Sequence, residues 1–482
     1  MLVRERRLVV LIGAFLFLII LTLGFYDRWF LARTRSNVRS GDDGYEKNGG
    51  RVWLGQTFDG PPSSKQNSEY QSQHGPISTP PSTHNEVFSI STRTGKYFTI
   101  DFGPHFKAIN PSIIPHPSLN DTWIVVAQRV PSRPNSVFNV ELVCDAIFVQ
   151  EEEDGILRCI NPPLILPIAA TNSPGETERC LGQLAALTLS IGPHDARVFF
   201  GPNAPYTIYG SNSKYTCFGQ WIQDLRILVD WGFDFIPNNE FRIGTELQRP
   251  RDGDGGGAYG PVEKNWFVFW DEQNQIYVHY DIAPRRAFAK LEFDGSAGPD
   301  LATLTASNDE ACMAKHMPLV ATDGQQSIHQ ATNSLAITLC KRYDQSCVPD
   351  DSNTFILTIF QHKSFYSFHS VYEPYVMLFR RTAPFDIYGI STRPIWIRGR
   401  GGPGQGRRPQ TMEGEEVQGL QEWDQTEMFY VTSLSWKSRE LRYHGYSDDV
   451  LFLAFGIEDE GTGGVDILAE DLLKDLGLCS MG

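Results

Sequence analysis

Acidic, basic and amide side chains recur in this sequence at the ends of short apolar runs. A carboxyl group can protonate or deprotonate a sugar oxygen, and arginine or lysine can hold an anionic group that leaves or attacks. If the fold brings such residues together, the mixture favours chemistry at a glycosidic bond, although each one alone is more typical of a surface ion pair or a turn. The residues concerned are Asn110, Arg129, Asp195, Arg197, Glu263, Lys264, Asn265, Asp281, Arg285, Arg286 and Asp459.

The elements that would position these residues are short β-strands. From about Tyr97 onward the sequence consists mostly of runs rich in β-branched and aromatic residues, bounded by Gly, Pro, Asn and Asp. Such repetition predicts an all-β fold, a five-bladed β-propeller over residues 96–482, whose inner strands converge on a central funnel. A decorated β-sandwich is the alternative. The five groups are spaced by about 85, 68, 92 and 74 residues and start near Asn110, Asp195, Glu263, Phe355 and Phe429.

One short run could hold a metal ion. Asp252-Gly253-Asp254 is a pair of carboxylates one residue apart, and hard oxygen ligands of this kind suit Mg²⁺ or Mn²⁺ under a nucleotide diphosphate. The pair lies in a glycine-rich stretch with no parallel strand before it. The loop interpretation is therefore favoured, and the sequence predicts no metal or other cofactor.

The start of the chain is apolar enough to be a membrane anchor. Leu8 to Phe25 is a run of eighteen residues without a charge, nearly enough to cross a hydrocarbon core of about 30 Å. A cleaved signal peptide is the alternative, but no small-x-small cleavage site follows. Residues 1–30 are therefore predicted to be a cytoplasmic head and a transmembrane anchor.

The segment after the anchor has the composition of a spacer. Residues 31–95 are rich in Ser, Gly, Pro, Gln and Asn and show no sustained apolar period, which predicts a disordered stem. Anchor, stem and body together predict a single-pass type II membrane protein. We expect it in the Golgi, with its body in the lumen.

Cysteines and a sequon agree with an oxidising compartment. None of the eight cysteines forms a C-x-x-C pair, so disulfides are expected rather than a zinc ribbon. Cys340 with Cys347, and Cys144 with Cys159, are plausible local pairs, although pairing cannot be deduced from sequence. Asn120 begins an Asn-Asp-Thr glycosylation sequon on a turn.

The overall composition argues against nucleic acid as a partner and leaves open the role of the many aromatic residues. The net charge of −15 argues against nucleic-acid binding, which needs a basic face. Aromatic residues make up 12% of the chain, with ten tryptophans. They fit a large β core, and they also fit stacking against sugars; the two readings are compatible.

Five passages, in order, resemble glycoside hydrolase family 130, a clan of mannoside phosphorylases and hydrolases. NPSIIPHPSLNDTWIVVAQR resembles the clan's first-blade motif, and HDARVFF with YTIYGS resembles its Glu-Asp-Pro-Arg strand and partner. EKNWFVF with IYVHYDIAPRRAF resembles its Lys-Asn strand and Tyr-x-x-x-Pro segment. YVMLFRRTAPFDIYGISTRPI and DDVLFLAFGIEDEGTGGVDILAEDLL are similar to its later blades. The clan also includes eukaryotic β-1,2-mannosyltransferases with the same five-bladed fold.

The resemblance implies roles for particular residues. Arg129, Arg197 and Lys264 would cradle phosphate or a nucleotide diphosphate, while Asp195 would be a carboxylate that contacts substrate. The sequence departs from the clan's pattern at His194, where the clan has Glu, and at Ala196, where it has Pro. The predicted catalytic residues are Asp195 and Glu263, and the predicted substrate- or phosphate-binding residues are Asn110, Arg129, Arg197, Lys264, Asn265 and Arg286.

Together these features predict a membrane-anchored lumenal glycosyltransferase for mannose-like glycans, performing β-mannosyl transfer. Its partners would be a glycan acceptor, a sugar nucleotide or sugar phosphate donor, and the membrane through Leu8–Phe25. Two alternatives stay open: a glycoside hydrolase or phosphorylase on the same propeller, and a propeller that binds glycans without catalysis.

Overall fold

The structure is a computed structural model, and almost all of its regular elements are β-strands, the all-β class that the sequence predicts. The predicted anchor and stem residues 31–81 lie outside the residues it describes. Within those residues, no helix has the length and apolarity needed to cross a membrane. The described residues are 82–131, 137–149, 154–171, 179–230, 240–251, 257–366, 369–408 and 423–479.

Strands β3 to β19, together with β21, β23 and β24, fall into five consecutive groups along the chain, and within each group neighbouring strands pair antiparallel. The first group contains β3 (Ala108–Pro115), β4 (Trp123–Arg129), β5 (Glu141–Val149), β6 (Ile156–Cys159) and β7 (Leu164–Ile165). The second contains β8 (His194–Phe200), β9 (Pro205–Asn212), β10 (Phe218–Asp224) and β11 (Thr245–Glu246), and the third contains β12 (Phe267–Trp270), β13 (Ile276–Asp281) and β14 (Ala287–Lys290).

The last two groups are longer and share strands with their surroundings. The fourth contains β15 (Gln326–Gln330), β16 (Leu335–Thr338), β17 (Thr354–Tyr366), β18 (His369–Arg380) and β19 (Ile387–Ser391), joined at its edges by β22 (His444–Tyr446) and β25 (Leu476–Leu478). The fifth contains β21 (Phe429–Trp436), β23 (Val450–Ile457) and β24 (Gly461–Leu468).

An early strand joins the first group to the fifth. β2 (Phe98–Asp101) pairs antiparallel with β24 and parallel with β6, so the two groups form one continuous sheet. The first strand of the described residues, β1 (Asn85–Val87), pairs parallel with β20 (Ile395–Ile397). Residues 85–87, which lie within the segment predicted as a disordered stem, therefore form a backbone ladder with a distant part of the chain.

Helices are few in the described residues. The longest is α1 (Ala306–His316), and a 3-10 helix spans Gly182–Leu189. Strand β24 is followed by the short helix α2 (Ala469–Leu472). Two further 3-10 turns lie at Leu225–Ile227 and Ala302–Leu304.

The tryptophans that are buried belong to the core between the sheets. Trp266, Trp396 and Trp436 are at most 1% exposed, and Trp123, Trp221 and Trp270 at most 6%. Rings this deeply buried cannot stack against a sugar in solution. For these six the core interpretation holds, and burial of their large apolar area stabilises the packing of one sheet on the next.

Disulfides join all eight cysteines. Cys144–Cys159 and Cys340–Cys347 are the two local pairs that the sequence made plausible. Cys180–Cys217 and Cys312–Cys479 complete the set, the second of them tying α1 to the C-terminal segment.

Candidate active site

The backbone is left-handed at several of the residues that the sequence singled out. Asn110, Asp195, Asn265 and Asp459 have φ angles of 54°, 51°, 65° and 52°. Asparagine and aspartate tolerate this conformation better than other residues with a Cβ. At Asn110 and Asp195 it coincides with irregular pairing of β3 with β4 and of β8 with β9. Bulges of this kind redirect a side chain out of the regular alternation of a strand.

These bulges bring Asn110 and Asp195 together. The Asn110 amide donates a hydrogen bond of 2.7 Å to Oδ1 of Asp195, joining the first strand group to the second. The Asp195 backbone N–H donates to Oε1 of Gln128 at 3.0 Å, and the Ala196 N–H donates to Oε1 of Glu141 at 3.2 Å. Side chains of β4 and β5 thus hold the backbone that carries the Asp195 carboxyl group.

Arg197 links the second group to the third and the fifth. Its guanidinium donates to Oδ1 of Asn265 at 2.5 Å and to the hydroxyl oxygen of Tyr430 at 3.4 Å. The Tyr430 hydroxyl also donates to Oδ1 of Asn265 at 3.2 Å. Arg197 is 5% exposed, and both of its described partners are uncharged side chains. Its positive charge is therefore not neutralised by a direct ion pair among the described contacts.

Lys264 and Lys363 add further positive charge next to Asp195. Burial lowers the pKa of Lys264, and Arg197 lowers it further, while Asp195 and Asp459 raise it. Lys264 is nevertheless exposed to solvent. Burial also lowers the pKa of Lys363. The charge of Lys264 lowers it further, and the charge of Asp459 raises it.

Asp459 is the carboxyl group most affected by these surroundings. Its pKa is raised to about 6, first by burial and then by the negative charges of Asp195 and Glu458, against the opposing effect of Arg407 and Lys363. A carboxyl with such a pKa carries a proton for part of the time near neutral pH. This is the property that a general acid requires.

Two histidines border the cluster in their neutral form. Burial lowers the pKa of His194; the charge of Asp195 opposes this effect and that of Lys264 adds to it. Nε2 of His194 lies 2.6 Å from the Ser190 hydroxyl oxygen. Burial, with Lys363 and Lys264, lowers the pKa of His329 to about 3. Both rings can therefore donate or accept hydrogen bonds without adding charge.

All five strand groups contribute to this arrangement, which we call the Asp195 cluster. Asn110 comes from the first group, Asp195 and Arg197 from the second, and Lys264 and Asn265 from the segment that leads into the third. Lys363 and His329 come from the fourth, and Tyr430 and Asp459 from the fifth. Residues up to 349 positions apart thus interact around one point.

Glu263, predicted to be catalytic, belongs to a separate ion network. Its two carboxylate oxygens accept from Arg249 at 2.8 and 2.9 Å, and they also accept from the Gly260 N–H and the Trp266 indole. Arg249 additionally pairs with Asp281 at 2.6 Å. With its oxygens occupied in this way and 5% exposure, Glu263 has a structural ion pair rather than a place in the Asp195 cluster.

Arg286, predicted to bind substrate, lies in the core. It is 2% exposed, donates to Asp309 at 3.2 Å and to the Phe385 carbonyl at 2.6 Å, and its guanidinium sits 4.4 Å from the ring centres of Phe288 and Phe379. Burial lowers its pKa, against the raising effect of Asp309. Arg286 is therefore a core residue with partners inside the fold, and it does not belong to the Asp195 cluster.

The remaining predicted residues lie at the surface or outside the described residues. Arg129 is half-buried, with its guanidinium 5.6 Å from the Phe106 ring centre, and no described contact joins it to Arg197 or Lys264. Asn120 is exposed on the turn between β3 and β4, where a glycan would be accessible. Asp252 and Asp254 are outside the described residues, and the residues that are described contain no cluster of three acidic, histidine or cysteine ligands.

Several residues that form or support the cluster carry no clear signal in the sequence. Tyr430 and Lys363 lie inside strands, and no local sequence feature marks them. Gln128 and Glu141 lie near strand ends, where polar residues are ordinary. Asp459 was noted among the charged residues of the predicted funnel but was not given a role. Alternation along a strand indicates which face a residue occupies, but it does not show how far along the axis the residue lies.

Comparisons with known proteins found similarity in structure only. No family model matches the chain, and no curated protein matches it in sequence. The chain is similar to a β-1,2-mannobiose phosphorylase from Listeria innocua in complex with β-1,2-mannobiose, with 9% identity over 79% of this chain and 93% of that one and a TM-score of 0.39.

Two further solved structures are similar. One is a glycoside hydrolase from the GH130 family of mannoside phosphorylases, described as targeting β-1,2-mannosidic linkages in Candida mannan, with 11% identity over 86% and 99% of the two chains and a TM-score of 0.37. The other is a glycosyl hydrolase from Bacteroides ovatus, with 10% identity over 84% and 96% and a TM-score of 0.36. The first two of these three structures are mannoside-active enzymes by name. With TM-scores this low, function has to be inferred from the side chains of this chain itself.

Proposed function

We propose that this chain is a carbohydrate-active enzyme that cleaves glycosidic bonds, by phosphorolysis or hydrolysis, at the Asp195 cluster on a five-bladed propeller. The observation that carries the proposal is the convergence of charged and amide side chains from separate strand groups: Asn110 donates to Asp195 at 2.7 Å and Arg197 donates to Asn265 at 2.5 Å. Beside them, burial and the charges of Asp195 and Glu458 raise the pKa of Asp459 to about 6. Enzymes that cleave glycosidic bonds usually use two carboxyl groups whose environments differ.

Each member of the cluster can be given a part in the reaction. Protonated Asp459 would give its proton to the glycosidic oxygen as the bond between that oxygen and the anomeric carbon breaks. In phosphorolysis an oxygen of inorganic phosphate forms the new bond to that carbon, and Arg197, Lys264 and Lys363 would hold the phosphate. In hydrolysis water attacks instead, and Asp195 would accept its proton.

The contribution of all five strand groups supports the propeller interpretation. Sheets arranged around one axis place the starts of their inner strands at a common centre, so that residues distant in sequence meet there. A sandwich would bring together residues of facing sheets only. We therefore retain the five-bladed propeller, with the site at its axis, as part of the proposal.

The glycosyltransferase predicted from the sequence is the second candidate. Three cations beside a carboxyl pair suit a nucleotide diphosphate leaving group as well as inorganic phosphate. The disulfides that join all eight cysteines fit the oxidising lumen in which such an enzyme would work, anchored by Leu8–Phe25. Location in the Golgi, as a type II membrane protein, remains a proposal.

A donor screen with the full-length protein separates these functions. β-Mannosides, including β-1,2-mannobiose, are incubated with and without inorganic phosphate, and separately an acceptor glycan is incubated with sugar nucleotides. Sugar phosphate release indicates phosphorolysis, free sugar indicates hydrolysis, and an extended glycan with a nucleotide donor indicates transfer. Glycan binding without product in any arm would overturn the enzymatic proposal and favour a binding propeller.

A further inference from the structure

Two buried side chains lie directly beneath the backbone of Asp195. Gln128 at the end of β4 and Glu141 at the start of β5 are paired across the strands and are 1% and 0% exposed. Gln128 accepts from the Asp195 N–H and Glu141 from the Ala196 N–H. Neither side chain is exposed to solvent.

These two acceptors take the place of β-sheet hydrogen bonds. Pairing between β8 and β9 shifts register between His194 and Arg197, so the two residues in between have no partner in the regular ladder. Buried N–H groups without acceptors would cost about 1–3 kcal/mol each. The left-handed backbone at Asp195 also needs support from its surroundings to persist.

Glu141 is an unusual choice for this position. Its second oxygen, Oε2, is buried without a hydrogen-bond partner. Burial raises the pKa of Glu141 well above its ordinary value, and the charge of Asp195 raises it further, against the lowering effect of the Ala196 N–H. Burial therefore favours the neutral form of this carboxyl group. An apolar side chain of similar size would be buried more cheaply there, so the acceptor oxygen is what the position requires.

We propose that Glu141, assisted by Gln128, is a positioning residue that fixes the Asp195 carboxyl relative to Asp459 by holding the Asp195–Ala196 bulge. Glu141 acts through the backbone and touches no substrate. This inference deepens the proposed function of the same cluster and rests on it. Its geometrical part, the fixed relation of two carboxyl groups, can be measured without any substrate.

The measurement is the titration of Asp459 in the full-length protein. ¹³C-carboxyl NMR of the aspartate-labelled protein follows the resonance, which the Asp459→Asn variant assigns. The charged and titratable groups that act on this carboxyl are Asp195, Glu458, Arg407, Lys363, Lys264 and Tyr372. Among them Asp195 is the one held by the bulge, so release of the bulge should alter its contribution.

We expect Glu141→Leu, which removes the acceptor at similar volume, to lower the pKa of Asp459 by ~0.5 unit or more, because Asp195 is no longer held near it. Glu141→Gln keeps an acceptor oxygen for the Ala196 N–H and should leave the titration unchanged. Glu246→Leu is the matched control, since Glu246 is also a buried acid that accepts from a backbone N–H, that of Lys214, but lies outside the cluster.

Several outcomes would overturn the inference. If Glu141→Leu lowers the melting temperature but leaves the Asp459 titration in place, Glu141 is only structural. If Glu141→Gln shifts the titration as strongly as Glu141→Leu, the carboxyl acts through charge rather than as an acceptor. Should Glu141→Leu not fold, Gln128→Leu tests the same bulge through its other support, and an unchanged titration there refutes the proposal.

Turnover then separates this inference from the proposed function. If wild type cleaves a glycoside in the donor screen, kcat should fall in Glu141→Leu while KM changes little, and Glu141→Gln should restore it. If the titration shifts as expected but wild type shows no activity with any donor, the positioning role holds and the proposed function fails.

Discussion

Glu263 and Lys264 are adjacent in the sequence, but the regions around them shift the pKa values of their ionisable side chains in opposite senses. Around Glu263, Arg249 is paired with two carboxylates, and these pairs raise the pKa of Arg249 although burial alone would lower it. Around Lys264, the pKa values of Lys264 and Lys363 are lowered and that of Asp459 is raised. One region stabilises the charged forms of its side chains, and the other favours their neutral forms.

This difference separates a structural network from a site prepared for chemistry. In the Arg249 network each charge has an opposite charge within hydrogen-bond distance, so nothing is left for a ligand. In the Asp195 cluster like charges lie near one another as well as opposite ones: Asp195 acts on Asp459, and Lys264 acts on Lys363. Arg197 has amide and hydroxyl partners. An anion or a proton would relieve that repulsion, which is why perturbed groups of this kind gather at functional sites.

The strongest test of the comparison is the loss of the proposed acid. Asp459→Asn removes the proton donor but keeps a residue that tolerates the left-handed backbone. We expect kcat for glycoside cleavage to fall by about 10²–10⁴-fold, with wild-type activity itself declining as pH rises above about 6. Glu263→Gln is the control in the other region; if it reduces kcat as much while the fold is intact, the separation of the two regions fails.

Removal of an arginine should distinguish the regions by stability. Arg249→Ala leaves the Glu263 carboxylate buried without its partner, and we expect the free energy of unfolding to fall by about 3–5 kcal/mol. Arg197→Ala removes an arginine with neutral partners, so it should lose activity while the melting temperature changes far less. Denaturant unfolding of both variants checks this, and equal destabilisation would contradict it.

The effect of Asp459 on stability should depend on pH. Its pKa in the folded protein, about 6, is above the ordinary value of 3.8. The folded state therefore binds the proton more tightly, and the stability contributed by the protonated form is complete below pH 4 and lost as pH rises through 6. Asp459→Asn should accordingly be more stable than wild type at pH 8, by up to about 2–3 kcal/mol, and about equal at pH 4. A stabilisation that is the same at both pH values would show that the carboxyl is not perturbed.

The sequence allowed the strand groups to be predicted, and with them the meeting of Asn110, Asp195, Arg197, Lys264 and Asn265. Apolar runs and turn residues are local signals, and the spacing of the groups follows from them. That Glu263 lies in a separate ion network and Arg286 in the core could not be predicted from such local signals. Whether a charge at a strand end is free or paired depends on partners such as Arg249 and Asp309, which tertiary structure alone brings near.

The two residues that hold the backbone of Asp195 could not be recognised from the sequence, for a related reason. Glu141 and Gln128 act through hydrogen bonds to a bulge in another strand group, and a bulge is a shift in pairing that leaves no clear mark in one strand's sequence. The polar residues Asn and Asp at left-handed positions are the one local hint. They are common in turns as well, so they indicate an irregular backbone without showing its purpose.

The smallest expected effect concerns a glycine that lets the first and fifth groups approach. A Cβ on Gly456 in β23 would lie 2.5 Å from Oδ1 of Asn110, whereas one on Gly461 in β24 would meet nothing nearer than 3.7 Å. Gly456→Ala should push the Asn110 amide away from Asp195 and remove its 2.7 Å hydrogen bond. Since one such bond contributes about 1 kcal/mol, we expect a fall in kcat of about 5–10-fold, with Gly461→Ala close to wild type. If both variants behave alike in steady-state kinetics, Asn110 does not orient Asp195, and the cluster is held by Gln128 and Glu141 alone.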